Sequence, residues 1–184
     1  MESLAVAVAH WDFWLVTTVL VVAAVIDGWM LKVPNWITFP FIATGWIYSF
    51  AAHGWEGLGW SVLGTILGLA LLLPLNLLGG MGEGDVKLLA GVGAWVWLGH
   101  TMQAFVWTAL VGGVMSLAIV IWKRTWKHHS LQAVALVKEM VEVGDQEALY
   151  QRARRRKPRM ALLPYGIPMA IGTIAYFAYA GLLF

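Results

Sequence analysis

Asp27, Glu83 and Asp85 are acidic residues at the edges of apolar runs, where charge is hard to keep unless it does chemistry. Asp85 lies in the stretch Gly79-Gly80-Met81-Gly82-Glu83-Gly84-Asp85-Val86-Lys87, which sets four glycines, two carboxylates and an amine between two apolar segments. Charges at a membrane-embedded turn are costly and usually functional. Glycine there admits backbone conformations barred to other residues and lets another chain come close. Asp27 closes the first apolar run, in Val25-Ile26-Asp27-Gly28. Peptide hydrolysis by two carboxyls needs one ionised group to take a proton from water and one protonated group to polarise the scissile carbonyl. Two close carboxyls do not readily both ionise, so they share a proton and titrate as a pair. Asp85 opens a helix and Asp27 ends one, so the helix dipoles favour Asp85 as the base and Asp27 as the acid. The same two acids would also serve a proton- or cation-coupled transporter, or persist in a non-catalytic membrane assembly factor, and residue types alone leave those alternatives open.

These groups need a scaffold, and the composition names its class. Of the 184 residues 60% are hydrophobic and only 12% are charged, with a mean hydropathy of +0.74. That excludes an ordinary soluble domain and predicts an all-α polytopic membrane protein, residues 1–184 forming a single membrane domain. A helix needs about 20 apolar residues to cross about 30 Å of hydrocarbon. Six segments are expected to span: 12–30, 36–52, 57–78, 85–99, 102–122 and 161–183. The fourth is short: from Asp85 to Leu98 a helix rises only about 21 Å, which places Asp85 below the surface or requires a thinned bilayer. The run Trp11 to Ile26 lacks a basic flank and a small-residue cleavage site, and is expected to be a retained first span.

Orientation follows from the cations. All 12 Lys and Arg fall in three connections: Lys32, Lys87, and the stretch from Lys123 to Arg159. The alternate connections, around His53 to Glu56 and around His100, have none. By the positive-inside rule the basic connections face the cytoplasm and, with an even number of spans, both termini lie outside. Most of the 12 tryptophans fall near the expected interfaces, where one polar ring edge suits them; Trp46 and Trp107 lie deeper and are expected to pack between helices. The cytoplasmic loop 123–160 is expected to hold a short amphipathic helix, with Val134, Val137, Met140 and Val141 on one face. Its Arg154-Arg155-Arg156-Lys157 run would meet anionic lipid. No basic-aromatic surface suggests nucleic acid. With no cysteine, thiolate catalysis and cysteine zinc sites are excluded. The scattered His10, His53 and His100 read as interfacial residues rather than as a metal site. Pro34 is expected to set the start of the second span and Asn35 to cap it, Pro74 to kink the third, and Asn76 to bind backbone.

Gly82-Glu83-Gly84-Asp85 fits the GxGD pattern of intramembrane aspartic proteases, and the wider run from Gly80 to Leu88 resembles the type IV prepilin peptidase family. Asp27 followed by Lys32-Val33-Pro34-Asn35 resembles that family's first motif, and Pro164-Tyr165-Gly166-Ile167-Pro168 its C-terminal one. The small size is similar to the short, peptidase-only members associated with Flp/Tad pili. The resemblance implies a multi-pass enzyme of the prokaryotic inner membrane that cleaves the short basic leader of prepilins or pseudopilins after a glycine, at the cytoplasmic face. It implies Asp27 and Asp85 as the catalytic pair. Gly82 and Gly84 would let substrate approach, and Lys87 would either bind an acidic group of the substrate or snorkel to water. With water as nucleophile, no metal or organic cofactor is expected. Longer relatives carry paired CxxC motifs and a methyltransferase activity; a cysteine-free chain of this size is not expected to have one built in. Pro164, Gly166 and Pro168 weaken the start of the last span, leaving a groove through which an extended leader could reach both aspartates.

Overall fold

The computed structural model describes residues 10–77, 81–122 and 164–183, and among these every regular element is an α-helix. In chain order they are α1 (Trp11–Met30), α2 (Asn35–Leu77), α3 (Glu83–Trp122) and α4 (Gly166–Tyr179). Among the described residues three stretches are long and apolar enough to cross a membrane: Trp11–Met30, Asn35–Leu77 and Glu83–Ile119. The expected amphipathic helix and basic run of 123–160, with Gly79 and Gly80, lie outside the described residues.

α1 ends where Leu31 turns into the left-handed region (φ 51°) and donates its N–H to the Asp27 carbonyl at 2.8 Å. Pro34 then restricts the chain to an extended entry, and its carbonyl accepts the N–H of Ile37 and Thr38 as α2 begins. With 43 residues, α2 would be about 65 Å long if straight, twice what one crossing needs. It breaks at one residue, Gly54 (φ 64°, ψ −151°), and its arms, 35–53 and 55–77, fold back on each other. Trp46 Nε1 donates to Thr65 Oγ1 at 3.0 Å, a pair that a straight helix would hold about 28 Å apart.

α3 repeats the device without a glycine. It breaks at Trp97 (φ 62°, ψ −178°), a backbone region that side chains rarely occupy and that costs about 1–3 kcal/mol. The indole is tied down: its N–H donates to Ser49 Oγ at 3.2 Å, and the ring stands edge-on to His53. The segments expected as separate spans, 36–52 with 57–78 and 85–99 with 102–122, fall on separate arms on either side of the non-helical residues Gly54 and Trp97.

The first arm of α3 is the innermost element. Leu88, Leu89, Ala90, Val92 and Ala94 have no exposed surface. It lies against both arms of α2 at backbone distance: a Cβ on Gly64 would fall 2.2 Å from the Gly93 carbonyl oxygen, and one on Gly45 2.8 Å from Ala94 Cβ. Small residues give such close approach, which drives helix association where the surrounding solvent is as apolar as the side chains. Other parts of the protein therefore surround this arm. The outward faces remain apolar, with Val25, Ile47, Ile66, Leu110 and Val114 exposed, as lipid contact requires.

α4 closes the arrangement against α1 and the second arm of α3. Phe177 meets Phe13 edge to face at 5.0 Å, and Gly172 sits on the Thr108 backbone. At that end His100 Nδ1 and the Tyr176 hydroxyl are 2.6 Å apart. The other end of α4 holds the carboxylates.

Candidate active site

Asp27 occupies the last turn of α1 and Asp85 the first turn of α3. Both are buried, at 2% and 5% exposure, and a charge so placed must be matched by partners. Asp27 Oδ2 accepts the backbone N–H of Gly166 at 2.8 Å. Asp85 Oδ2 accepts the backbone N–H of Gly82 at 3.2 Å, a contact that α3 provides by starting one residue after Gly82. Tyr165, the residue before Gly166, has its ring edge against Gly112.

The glycines of the Gly82–Lys87 stretch have specific neighbours. A Cβ on Gly84 would fall 2.4 Å from the Val33 carbonyl oxygen, and one on Gly82 3.0 Å from Asp85 Oδ2. Gly84 is therefore filled by the α1–α2 connection, which brings Lys32, Val33 and Asn35 beside the start of α3. Lys87 Nζ donates to Asn35 Oδ1 at 3.0 Å and stands 5.0 Å over the Phe39 ring. Asn35 is the first residue of α2, and its side chain bonds Lys87 rather than capping its own helix. Asn76 does bind backbone: Nδ2 donates to the Met81 carbonyl at 3.0 Å, anchoring the glycine-rich turn. Glu83 is exposed.

Two hollows flank the carboxyls. One, of 280 Å³, is lined by Leu31, Lys32, Val33, Asn35, Gly82, Glu83 and Gly84. The other, of 550 Å³, is an open groove between α1 and α4 whose lining includes Val21, Val25, Gly28, Ile167, Ala170 and Ile171. Among the described residues no group of three His, Cys, Asp or Glu side chains is placed to hold a metal ion.

Sequence reasoning places the two acids at one end of their helices but misses two partners, Asn35 for Lys87 and Gly166 for Asp27. Both belong to the motifs already singled out. Motifs far apart in sequence that share a membrane face are candidates for direct contact, and that is the signal that could have found them.

The sequence profile described as the type IV leader peptidase family matches residues 14–117. The prepilin leader peptidase/N-methyltransferase of Aeromonas hydrophila is 31% identical over 127 residues, covering 65% of this chain and 42% of that protein. The protein of the same name from Aeromonas salmonicida strain A449 is 30% identical over 127 residues, with the same coverage, 65% and 42%. The chain thus spans less than half the length of these relatives. No solved structure matches it.

Proposed function

The chain belongs to the type IV leader peptidase family, and on that premise we propose that it is a membrane-embedded aspartic endopeptidase. It removes the short leader of type IV prepilins or pseudopilins after a glycine, at the cytoplasmic face of the inner membrane. In this reading α1, the two arms of α2, the two arms of α3 and α4 make six crossings, with Lys32, Lys87 and the basic 123–159 stretch inside and both termini outside.

Asp27 and Asp85 form the acid-base pair. Asp85, at a helix N-terminus and holding the Gly82 N–H, starts as the carboxylate. It takes a proton from water as the water oxygen attacks the scissile carbonyl carbon. Asp27, in the last turn of its helix, starts protonated and gives its proton to the carbonyl oxygen. The tetrahedral intermediate collapses when the new amine takes the proton from Asp85 and the C–N bond breaks, while Asp27 recovers its own from the gem-diol. No metal or cofactor takes part. The observation that supports this reading is that two buried acids, on different helices, each accept a backbone N–H from a motif glycine, Asp27 from Gly166 and Asp85 from Gly82.

The test is co-expression with candidate prepilins and mass measurement of the mature N-terminus, for the native chain, Asp27→Asn and Asp85→Asn. The native chain processes the prepilin fully, and each variant accumulates in the membrane without processing it. Full processing by either variant overturns the assignment, and an unprocessed prepilin beside the native chain overturns the activity.

A further inference from the structure

Resting on that reading, we propose that the substrate crosses the site with a fixed polarity. Its hydrated, charged segment occupies the pocket beside Asp85, and its apolar transmembrane helix lies in the groove between α1 and α4 that ends at Asp27.

The two hollows differ in chemistry. Lys32 and Glu83 line the 280 Å³ pocket together with Asn35, and neither of the two charged side chains has a hydrogen bond or ion pair with another described residue. An ammonium and a carboxylate facing one cavity suit a peptide that carries charge and free backbone groups. Hydrocarbon there would strip both charges of water. The 550 Å³ groove is lined by apolar residues along its length, so a peptide group placed in it unpaired would lose its hydrogen bonds to water with nothing in their place. Swapping the two halves of the substrate is therefore penalised on both sides.

The groove is also aimed. From Val21 to Trp29 its α1 wall rises about 12 Å, close to the inner half of a hydrocarbon core of about 30 Å. Gly28 and Ile167, at its inner end, directly follow Asp27 and Gly166, the pair joined at 2.8 Å. A helix lying in the groove ends at the carboxyl that must reach its first peptide bond. Ala24, Gly28 and Ala170 in the lining allow close approach, the source of helix affinity in lipid.

The chain has no cysteine, so single cysteines report contacts cleanly. In the Asp85→Asn background, which keeps the substrate whole, Val25→Cys, Ile171→Cys, Glu83→Cys and the lipid-facing Leu110→Cys are each paired with a type IV prepilin. That prepilin carries one cysteine, either in its charged N-terminal segment or in its apolar helix. Oxidation cross-links Val25→Cys and Ile171→Cys to the apolar-helix cysteine at least about 10-fold more than Leu110→Cys, a conservative bound for a seated helix. Glu83→Cys links to the charged-segment cysteine. Reversed pairing, equal linkage at Leu110, linkage of groove cysteines only to a second copy of this chain, or no linkage overturns the proposal. Cleavage of the same prepilin by the native chain separates the two claims: if it is cleaved and the pattern is absent, the polarity fails and the peptidase stands.

Discussion

Gly166 donates its backbone N–H to Asp27 Oδ2 at 2.8 Å, across 139 positions of sequence. The bond fixes which rotamer the carboxyl adopts and ties the head of α4 to the tail of α1. It also makes Gly166 intolerant of a side chain. A Cβ there would stand 3.0 Å from Oδ2, 3.1 Å from Asp27 Cβ and 3.3 Å from Cγ, so the carboxyl must shift by a few tenths of an ångström. Gly166→Ala is expected to slow prepilin cleavage by about 10- to 100-fold, the equivalent of an overpacking cost of about 1–3 kcal/mol. Initial rates, with thermal unfolding in the same detergent, check it. An unchanged rate would show that the carboxyl position is not critical.

Gly84 offers a test of what the glycine-rich stretch is for. Its Cβ position is 2.4 Å from the Val33 carbonyl oxygen and 2.9 Å from Val33 Cβ, and Val33 is itself buried, so neither neighbour gives way. Gly84→Ala is expected to destabilise the fold by at least about 1–3 kcal/mol, lowering Tm by about 2–4 °C per kcal/mol for a chain of this size. A glycine that only admits substrate would instead raise KM and leave Tm alone. Measuring both quantities on one variant decides between the roles.

Lys87 and Asn35 are expected to behave as a unit. Their bond at 3.0 Å joins the first turns of α2 and α3, and so acts on Asp85 two residues away. Being partly exposed, the tie is worth no more than about 1 kcal/mol. Lys87→Met and Asn35→Ala should each reduce kcat a few-fold at constant KM, and the double variant should be no worse than either single one. If Lys87 grips the substrate directly, Lys87→Met raises KM while Asn35→Ala does not. A two-by-two cycle of kcat and KM reads the difference.

How far the sequence reaches is clearest at these residues. The boundaries of α1 and the location of both acids follow from hydropathy and from the cost of burying charge, which act locally. The partner of Lys87 does not, because a long amine at a membrane boundary is equally suited to water, a substrate carboxylate or an amide one helix away. Only packing decides. The enclosure of the arm that starts near Asp85 is also a matter of packing, since its apolar residues would suit lipid equally well. The reversal at Trp97 is illegible for a different reason. Propensity assigns such backbone angles to glycine, whereas here contacts to Ser49 and His53 hold an indole in them.

The reversal in α2 yields a prediction of opposite sign at two nearby glycines. Gly54 and Gly59 both face open space, with no atom within 4 Å of an added Cβ, so sterics with neighbours cannot distinguish them. Their backbones do. Gly54 turns the helix at φ 64° and ψ −151°, where a Cβ strains its own chain by about 1–3 kcal/mol. Gly59 lies inside the second arm of α2 without a positive φ, where alanine is favoured over glycine by about 1 kcal/mol. Gly54→Ala should therefore lower the unfolding temperature and Gly59→Ala raise it slightly, each with prepilin cleavage unchanged at a temperature where the variant is folded. Equal shifts for the two would mean that the arms of α2 do not reverse at Gly54.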